Sequence, residues 1–354
     1  MACQNIKPGD LGQPSIKWLG CGRVLFIGKR GELYLARRYS IYRSDDKGGT
    51  WQLDCFVPSS GWKPWVVRTR LVERLLRYNI QAFEMLADGT RIAIARDGIY
   101  RADPGQVRMS RVFRITRGSR PLNLAVDGSR VLFGEYGDLA RCEVYIYISE
   151  DGGKTFNVGY RIPSGEVRHI HSVVFDPYRN HYWVLTGDSE RQAAIGALSR
   201  DLKSLDWINR GSQKCRAVAA IIGEDDLVYG TDSDHERNYI VRMDKQSGCI
   251  EELIEVEGSS LYAASFGPIK LISTCVEQNP ACPSHECSLY VSHDGDKWSR
   301  LFVHKKDRYS FKYFQLGTIV LPYSRSAEPL GMCSGQAIQN GDGLTYLLDW
   351  AVRN

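Results

Sequence analysis

The chain lacks any hydrophobic run long enough to span a membrane, and its first residues, MACQNIKPGDLGQPSIKW, hold no apolar core of a secretory leader. Both absences point to a soluble protein with no membrane partner, and the cytoplasm is the expected compartment. Blocks of like charge are missing too: 46 basic residues stand against 41 acidic ones, a formal charge of +5 spread over 354 residues. A nucleic-acid partner would need a concentrated basic face, so none is expected. The most basic stretch, Lys63 to Arg77, interleaves its charges with Val66, Val67, Leu71, Leu75 and Leu76 and reads as a loop or short helix lying on the body. The ten cysteines show no disulfide-framework spacing and read as free thiols, most of them small buried apolar residues. Cys275, Cys282, His285 and Cys287 share one loop, but only Cys282 and Cys287 are close, which is a poor match to the paired spacing of zinc sites.

What the chain has in quantity is glycine, 34 residues, and an aspartate that returns at Asp46, Asp103, Asp151, Asp201, Asp244, Asp294 and Asp342. The intervals run from 43 to 57 residues, and nearly every copy follows a short apolar run and precedes a polar or glycine turn. Within one interval the pattern is a four-strand meander, as in LNLAV, RVLFGEY, EVYIYIS and FNVGYRI, separated by DGS, GDLAR and EDGGKT. Units that repeat at this period bury their faces only by stacking on their neighbours. The expectation is therefore an all-β, seven-bladed β-propeller, with six blades as the alternative, forming one domain over residues 1–354.

In such a meander the turns after strands one and three lie on one face, and those after strands two and four on the other. The aspartates occupy the turn between strands three and four, so chemistry is expected at the opposite end. The second strands end there with Lys29, Arg96 and Asp97, Glu135 and Tyr136, Asp188, Asp232 and Asp234, Glu277, and Tyr323 and Arg325. The starts of the innermost strands add Asn123, Arg168, His169, His171 and Arg216. His169 and His171 are two residues apart and so point the same way on a strand. Glu135, Tyr136, His169, His171 and Asp188 are the candidate catalytic groups. Arg96, Asn123, Arg168, Arg216, Asp232, Asp234, Tyr323 and Arg325 are the candidate ligand-binding groups. Trp18, Trp62, Trp65 and Trp183 are placed to stack on sugar faces, whereas Trp51, Trp207 and Trp298 belong to the aspartate turns and read as core plugs.

The aspartate turns resemble the Asp-box, or BNR repeat, of the sialidase-like propellers, S-x-D-x-G-x-T-W. Ser44, Asp46, Gly48, Thr50 and Trp51 match it, as do Ser149, Asp151, Gly153, Thr155 and Phe156, and Ser292, Asp294 and Trp298 match it one residue short. Asp46, Asp151 and Asp294 are accordingly read as structural. The run Tyr160 to Pro163, YRIP, is similar to the arginine motif of sialidases, although it lies mid-chain. The resemblance implies a carbohydrate-active protein, in the first place a glycoside hydrolase of sialidase-like, exo-acting type on an anionic or complex glycan. Two alternatives stand beside it. One is a polysaccharide lyase, in which histidine or tyrosine removes a proton while arginine neutralises a uronate; the other is a non-catalytic propeller that binds carbohydrate or protein. No cofactor is required by the first reading, though a divalent metal on His169 and His171 is compatible with the residue types. A monomer is expected.

Overall fold

The computed structural model describes residues 13–59, 67–277 and 279–350, so Trp62 and Trp65 lie outside the described residues. The described residues begin their secondary structure with β1 (Ser15–Cys21) and then run through five up-and-down meanders. The first comprises β2 (Arg23–Ile27), β3 (Leu33–Arg37), β4 (Ser40–Ser44) and β5 (Gln52–Phe56). After helix α1 (Arg70–Leu75) comes the second, β6 (Ile80–Met85), β7 (Arg91–Ala95), β8 (Gly98–Ala102) and β9 (Ser110–Arg114). The third is β10 (Ala125–Asp127), β11 (Arg130–Gly134), β12 (Val144–Ser149) and β13 (Asn157–Ile162). The fourth is β14 (Ile170–Asp176), β15 (His181–Thr186), β16 (Ala194–Ser199) and β17 (Leu205–Arg210). The fifth is β18 (Ile221–Ile222), β19 (Asp226–Gly230), β20 (Asn238–Asp244) and β21 (Ile250–Val256). The remainder is β22 (Ser260–Phe266), β23 (Ile269–Val276), β24 (Glu286–Ser292), β25 (Ser299–Lys305), helix α2 (Phe311–Phe314), β26 (Gly317–Val320), β27 (Tyr323–Ser324), β28 (Leu330–Gln336) and β29 (Leu344–Asp349).

The fold is an all-β propeller, but the expected count of seven blades, or six, is corrected. Five meanders stand apart as separate blades, the first widened by β27 lying parallel to β2. The last stretch of the chain joins β1 in one continuous eight-stranded sheet, ordered β1-β29-β28-β26-β23-β24-β25 with β22 beside β23. The junction is a short antiparallel pairing of β23 with β26, Cys275 opposite Thr318 and Val276 opposite Gly317. Counting turns along a sequence cannot detect such a junction, because the repeated turns survive while backbone hydrogen bonds merge the sheets between them. Among the described residues no helix is long and apolar enough to cross a membrane.

Burial follows position in the blade. The innermost strand β2 and the second-position strand β7 are buried at every residue, whereas outer strands such as β17 and β25 have mainly exposed or half-buried residues. The apolar core lies between neighbouring blades: Phe26 and Tyr34 of the first blade pack with Phe83 and Ala93 of the second. Helix α1, capped by Thr69, sits on this body where the basic stretch was expected to lie. Its buried Arg74 pairs with Asp307 and Asp342 and donates to the Phe314 carbonyl.

Register fixes the two faces. Ile170 at the start of β14 pairs with Thr186 at the end of β15, while His181 at the start of β15 pairs with Ser199 at the end of β16. The turns of Asp46, Asp103, Asp151, Asp201, Asp244 and Asp294 therefore occupy the end opposite to His169 and Asp188, whereas Asp342, in the turn from β28 to β29, lies at the same end as those two residues, against expectation, and pairs there with Arg74. In the first of them the Ser44 hydroxyl donates to Asp46 Oδ1 (2.8 Å), and Thr50 donates through its N–H to Oδ1 (2.8 Å) and through its hydroxyl to Oδ2 (2.9 Å). Gly48 takes φ +79°, a conformation that favours glycine, and its N–H donates to the Ser44 hydroxyl. Asp151 repeats this set with Ser149 and Thr155, and Phe156 beneath it packs on Phe133.

The Thr50 backbone N–H, with the Ser44 and Thr50 hydroxyls, holds the Asp46 carboxyl down to about 2. Because its folded value lies below the unfolded one, its contribution to stability is complete above about pH 4 and is lost as pH falls towards 2. Asp46→Asn should therefore flatten the acid limb of a plot of Tm against pH between about 4 and 2. Asp151→Ala should lower Tm by roughly 2–4 °C at neutral pH, as followed by circular dichroism, with ligand binding at the opposite face unchanged.

Candidate functional site

The propeller encloses an axial cavity of about 1180 Å³. Its wall is built by innermost strands, with Leu25, Phe83, Ala125, Val173, Ile221 and Ala263 contributing, and its polar mouth lies at the end away from the Asp46 and Asp151 turns. Tyr136, Arg168, His169, His171, Asp188, Arg216, Asp232 and Asp234 all line it, so blades three to five bring together the core of the expected group.

Asp188 is the meeting point. Its Oδ2 accepts a hydrogen bond from Arg168 Nη1 at 2.8 Å, and its Oδ1 faces His169 Nε2 at 3.6 Å, His171 Nε2 at 3.7 Å and Arg216 Nη2 at 3.6 Å. Arg216 also reaches Asp232 (Nε to Oδ2, 3.3 Å), pairs with Asp234 and donates to the Asp188 carbonyl at 3.1 Å. Arg168 Nε is 3.2 Å from Asp138. The two imidazoles are oriented alike: His169 Nδ1 lies 2.8 Å from the Gly137 carbonyl and His171 Nδ1 lies 2.9 Å from the Ala217 carbonyl. A carbonyl only accepts, so each Nδ1 carries the proton, and in the neutral ring each Nε2 turns a lone pair toward Asp188.

The electrostatics follow from burial. Burial and the neighbouring His171 hold the His169 imidazole down to about 4, so it is neutral at pH 7. Burial would raise the Asp188 carboxyl, but His171 and His169 in the protonated form they take in the acid range where this carboxyl titrates, together with the Arg216 guanidinium, outweigh it and keep that carboxyl well below the usual range. Burial pushes Asp232 up against the pull of Arg216, and it pushes Glu277 up together with the charge of Asp232. Tyr136, whose ring centroid is 4.4 Å from that of His169, is raised by burial and by Asp188 and stays protonated.

Other expected members are elsewhere. Glu135 turns away from the cavity, accepting from the Tyr145 N–H at 2.9 Å and the Tyr147 hydroxyl at 3.3 Å, with Arg117 Nε 3.5 Å away. Asn123 lines the cavity but spends its amide on the backbone of Val173, donating at 2.7 Å and accepting at 3.2 Å. Arg96 reaches only the Pro58 carbonyl at 3.4 Å. Arg325 pairs with Glu84 at 2.7 Å and Tyr323 stacks on Phe26; both sit by the ends of β2 and β6, at the end of the Asp46 turn and away from Asp188, so neither belongs to the mouth as expected. Arg161 of the YRIP run sits on outer strand β13, 58% exposed, over the Tyr145 ring and beside Glu143. Trp183 is fully buried and donates to Asp176 Oδ2 at 2.8 Å, so it stacks on no sugar; Trp18 is 62% exposed on β1. Cys275, Cys282 and Cys287 are buried free thiols.

Sequence reasoning missed Asp138 and Gly187 in this group. Asp138 follows two residues behind Tyr136, in the same turn position as Asp234 behind Asp232. Gly187 is required by packing: a Cβ there would lie 2.4 Å from His171 Cε1 and 2.8 Å from Arg216 Cγ.

No protein-family model matches the chain, and no curated protein matches it. Among solved structures, a chain of the mitotic checkpoint complex superposes with a TM-score of 0.58 at 10% identity, covering 99% of this chain and 96% of that one. The WD40 β-propeller domain of Doa1 gives 0.56 at 12% identity, covering 96% and 99%. YCF48 from Cyanidioschyzon merolae gives 0.56 at 14%, covering 95% and 98%. At these identities the likeness shows the fold alone.

Because His169, His171, Arg216 and Asp232 are all buried, the mouth is part of the packed body. Arg216→Met should strand the Asp232 carboxylate and cost about 3–5 kcal/mol in urea unfolding. Adding Asp232→Asn should recover most of that loss.

Proposed function

We propose that the protein is a non-catalytic propeller that binds a protein partner at the mouth of its axial cavity. The observation that carries this reading is the state of the carboxylates. Asp188, the acid at the centre of the mouth, is already shared between Arg168 and Arg216, and Glu135, the second acid expected for glycosidic cleavage, faces away from the cavity. Glycosidic hydrolysis by paired carboxylates needs two such groups flanking one bond. The mouth instead offers a rim of fixed, alternating charge: Asp138 is exposed beside Arg168, and Asp234 is half-buried beside the exposed His235. Such a rim suits electrostatic steering and register of a partner more than chemistry. A propeller of similar architecture was solved within the mitotic checkpoint complex, which agrees with a role in assembly.

Cross-linking mass spectrometry of the tagged protein should recover a partner whose cross-links fall around Asp138, Arg168 and His235. Arg168→Gln, which removes the charge at a half-exposed rim position and keeps a donor for Asp188, should weaken that partner's affinity by more than about tenfold, an effect of roughly 1.4 kcal/mol or more, in protein that circular dichroism shows to be folded. A panel of neutral and acidic polysaccharides should yield neither new reducing ends nor ultraviolet-absorbing unsaturated uronates. Reducing ends alone would restore the hydrolase, and unsaturated uronates would favour a lyase using Tyr136, His169 and Arg168; either result overturns the proposal.

A further inference from the structure

We infer that His169, His171 and Asp188 form a binding site for one divalent transition-metal ion of zinc type, set in the mouth of the cavity. The inference stands apart from the partner-binding reading, since metal can be measured on the isolated protein. Three donor atoms converge: His169 Nε2, His171 Nε2 and an Asp188 carboxylate oxygen all lie within 4.8 Å of one another. The separations from Asp188 Oδ1, 3.6 and 3.7 Å, are too long for hydrogen bonds. They are close to the edge of a metal tetrahedron, about 3.3–3.4 Å for bonds of about 2.0–2.1 Å.

A second observation points to a ligand independently of that spacing. His169 is buried, 5% exposed, and its Nε2 has no hydrogen-bond partner although it is directed at the cluster. With Nδ1 committed to the Gly137 carbonyl, a neutral His169 presents a bare lone pair there, and Nε2 of His171, whose Nδ1 faces the Ala217 carbonyl, is aimed at the same carboxylate. A lone pair and a carboxylate facing one point repel each other unless a cation or a proton donor stands between them. Backbone carbonyls behind both imidazoles are also the outer support that fixes the tautomer of metal-binding histidines, and Arg168 on Oδ2 orients the carboxylate in the same sense.

The arginines do not neutralise the site's preference for a cation. Arg168 is shared with Asp138, and Arg216 with Asp232 and Asp234, while Glu277 adds a further carboxylate to the wall. Five carboxylates thus face two guanidiniums. Two imidazoles and one carboxylate suit zinc over magnesium or calcium, which favour all-oxygen sites. Three protein donors on a cavity wall leave a fourth position for a group entering the cavity.

The test uses the whole protein stripped with chelator and titrated with Zn²⁺ alone by calorimetry, with Co²⁺ as a spectroscopic probe. The expected result is one equivalent of Zn²⁺ per chain, a visible Co²⁺ spectrum of tetrahedral type, and a rise in Tm on adding Zn²⁺. His169→Gln should weaken Zn²⁺ more than about 100-fold, beyond the roughly 10–100-fold typical of losing an outer hydrogen bond, while Cys282→Ser should leave binding unchanged. If His169→Gln does not fold, Asp188→Asn, which keeps shape and removes the charge, reads the same loss. Less than a fifth of an equivalent bound under excess Zn²⁺, or full binding in variants that remain folded, would overturn the inference.

Discussion

Ring closure is the constraint on which the rest depends. The first strand, β1, lies antiparallel to the last, β29, with Ser15 opposite Asp349 and Cys21 opposite Leu344, so residues more than three hundred positions apart share one ladder. Thr345 adds a side-chain bond to the Gly22 carbonyl at 3.0 Å, and the Gly22 N–H donates to Gly343. Until these ends meet, the inner strands enclose nothing, and the axial cavity with its buried charges is open to water. Contacts of such sequence separation carry a large loop-closure entropy before they return any energy. Closure and the assembly of the mouth are therefore coupled, because low-dielectric burial of Arg216 and Asp232 exists only in the finished ring.

Buried charge also ties blades together away from the mouth. Lys245, at the β20–β21 turn of the fifth blade, reaches Asp176 Oδ2 at 2.7 Å in the fourth, both side chains almost inaccessible to water. The same carboxylate accepts from Trp183 Nε1, and its other oxygen accepts from the Tyr178 and Arg179 N–H groups. Every lone pair is used, which is the condition under which a buried ion pair is tolerated. At the opposite end Arg216 performs the corresponding service between Asp188 of the fourth blade and Asp232 of the fifth. Two buried cations, one near each face, thus fix the angle between these blades.

Much of this was legible in the sequence, and the failures have physical reasons. The strand-turn pattern gave the meanders and the face of the site, because turn residues and alternation are local properties. Sheet count was not local: the pairing of Cys275 with Thr318 joins strands from different meanders. Glu135 and Tyr136 were both assigned to the mouth because both directly follow the end of β11. Adjacent residues on a strand point to opposite sides, and here Tyr136 takes the cavity while Glu135 takes the gap beside Tyr147. Trp183 misled for a related reason, since a second-position strand in a blade is covered on both faces and leaves no ring free for a ligand. The clustering of His169, His171, Asp188 and Arg216 was legible because it needed only strand parity and the up-and-down order of the meander.

The backbone at Asp188 shows how far the mouth overrides local preference. Asp188 has φ +96°, a value that L residues rarely adopt, and such strain costs of order 1–3 kcal/mol and persists only where the surroundings over-determine it. Here they do. Its carbonyl accepts from Arg216 Nη1 at 3.1 Å and Gln213 Nε2 at 3.2 Å, and its carboxylate accepts from Arg168. Gly187 before it lets the chain pass close beneath His171 and Arg216, where a Cβ would collide with both. Glycine at 188 would relieve the strain but remove the carboxylate, and any larger residue at 187 would push the imidazole away from it. The pair Gly187 and Asp188 is thus a solution in which backbone strain is held by charge–charge contacts, and those contacts in turn exist only because closure of the ring has buried them.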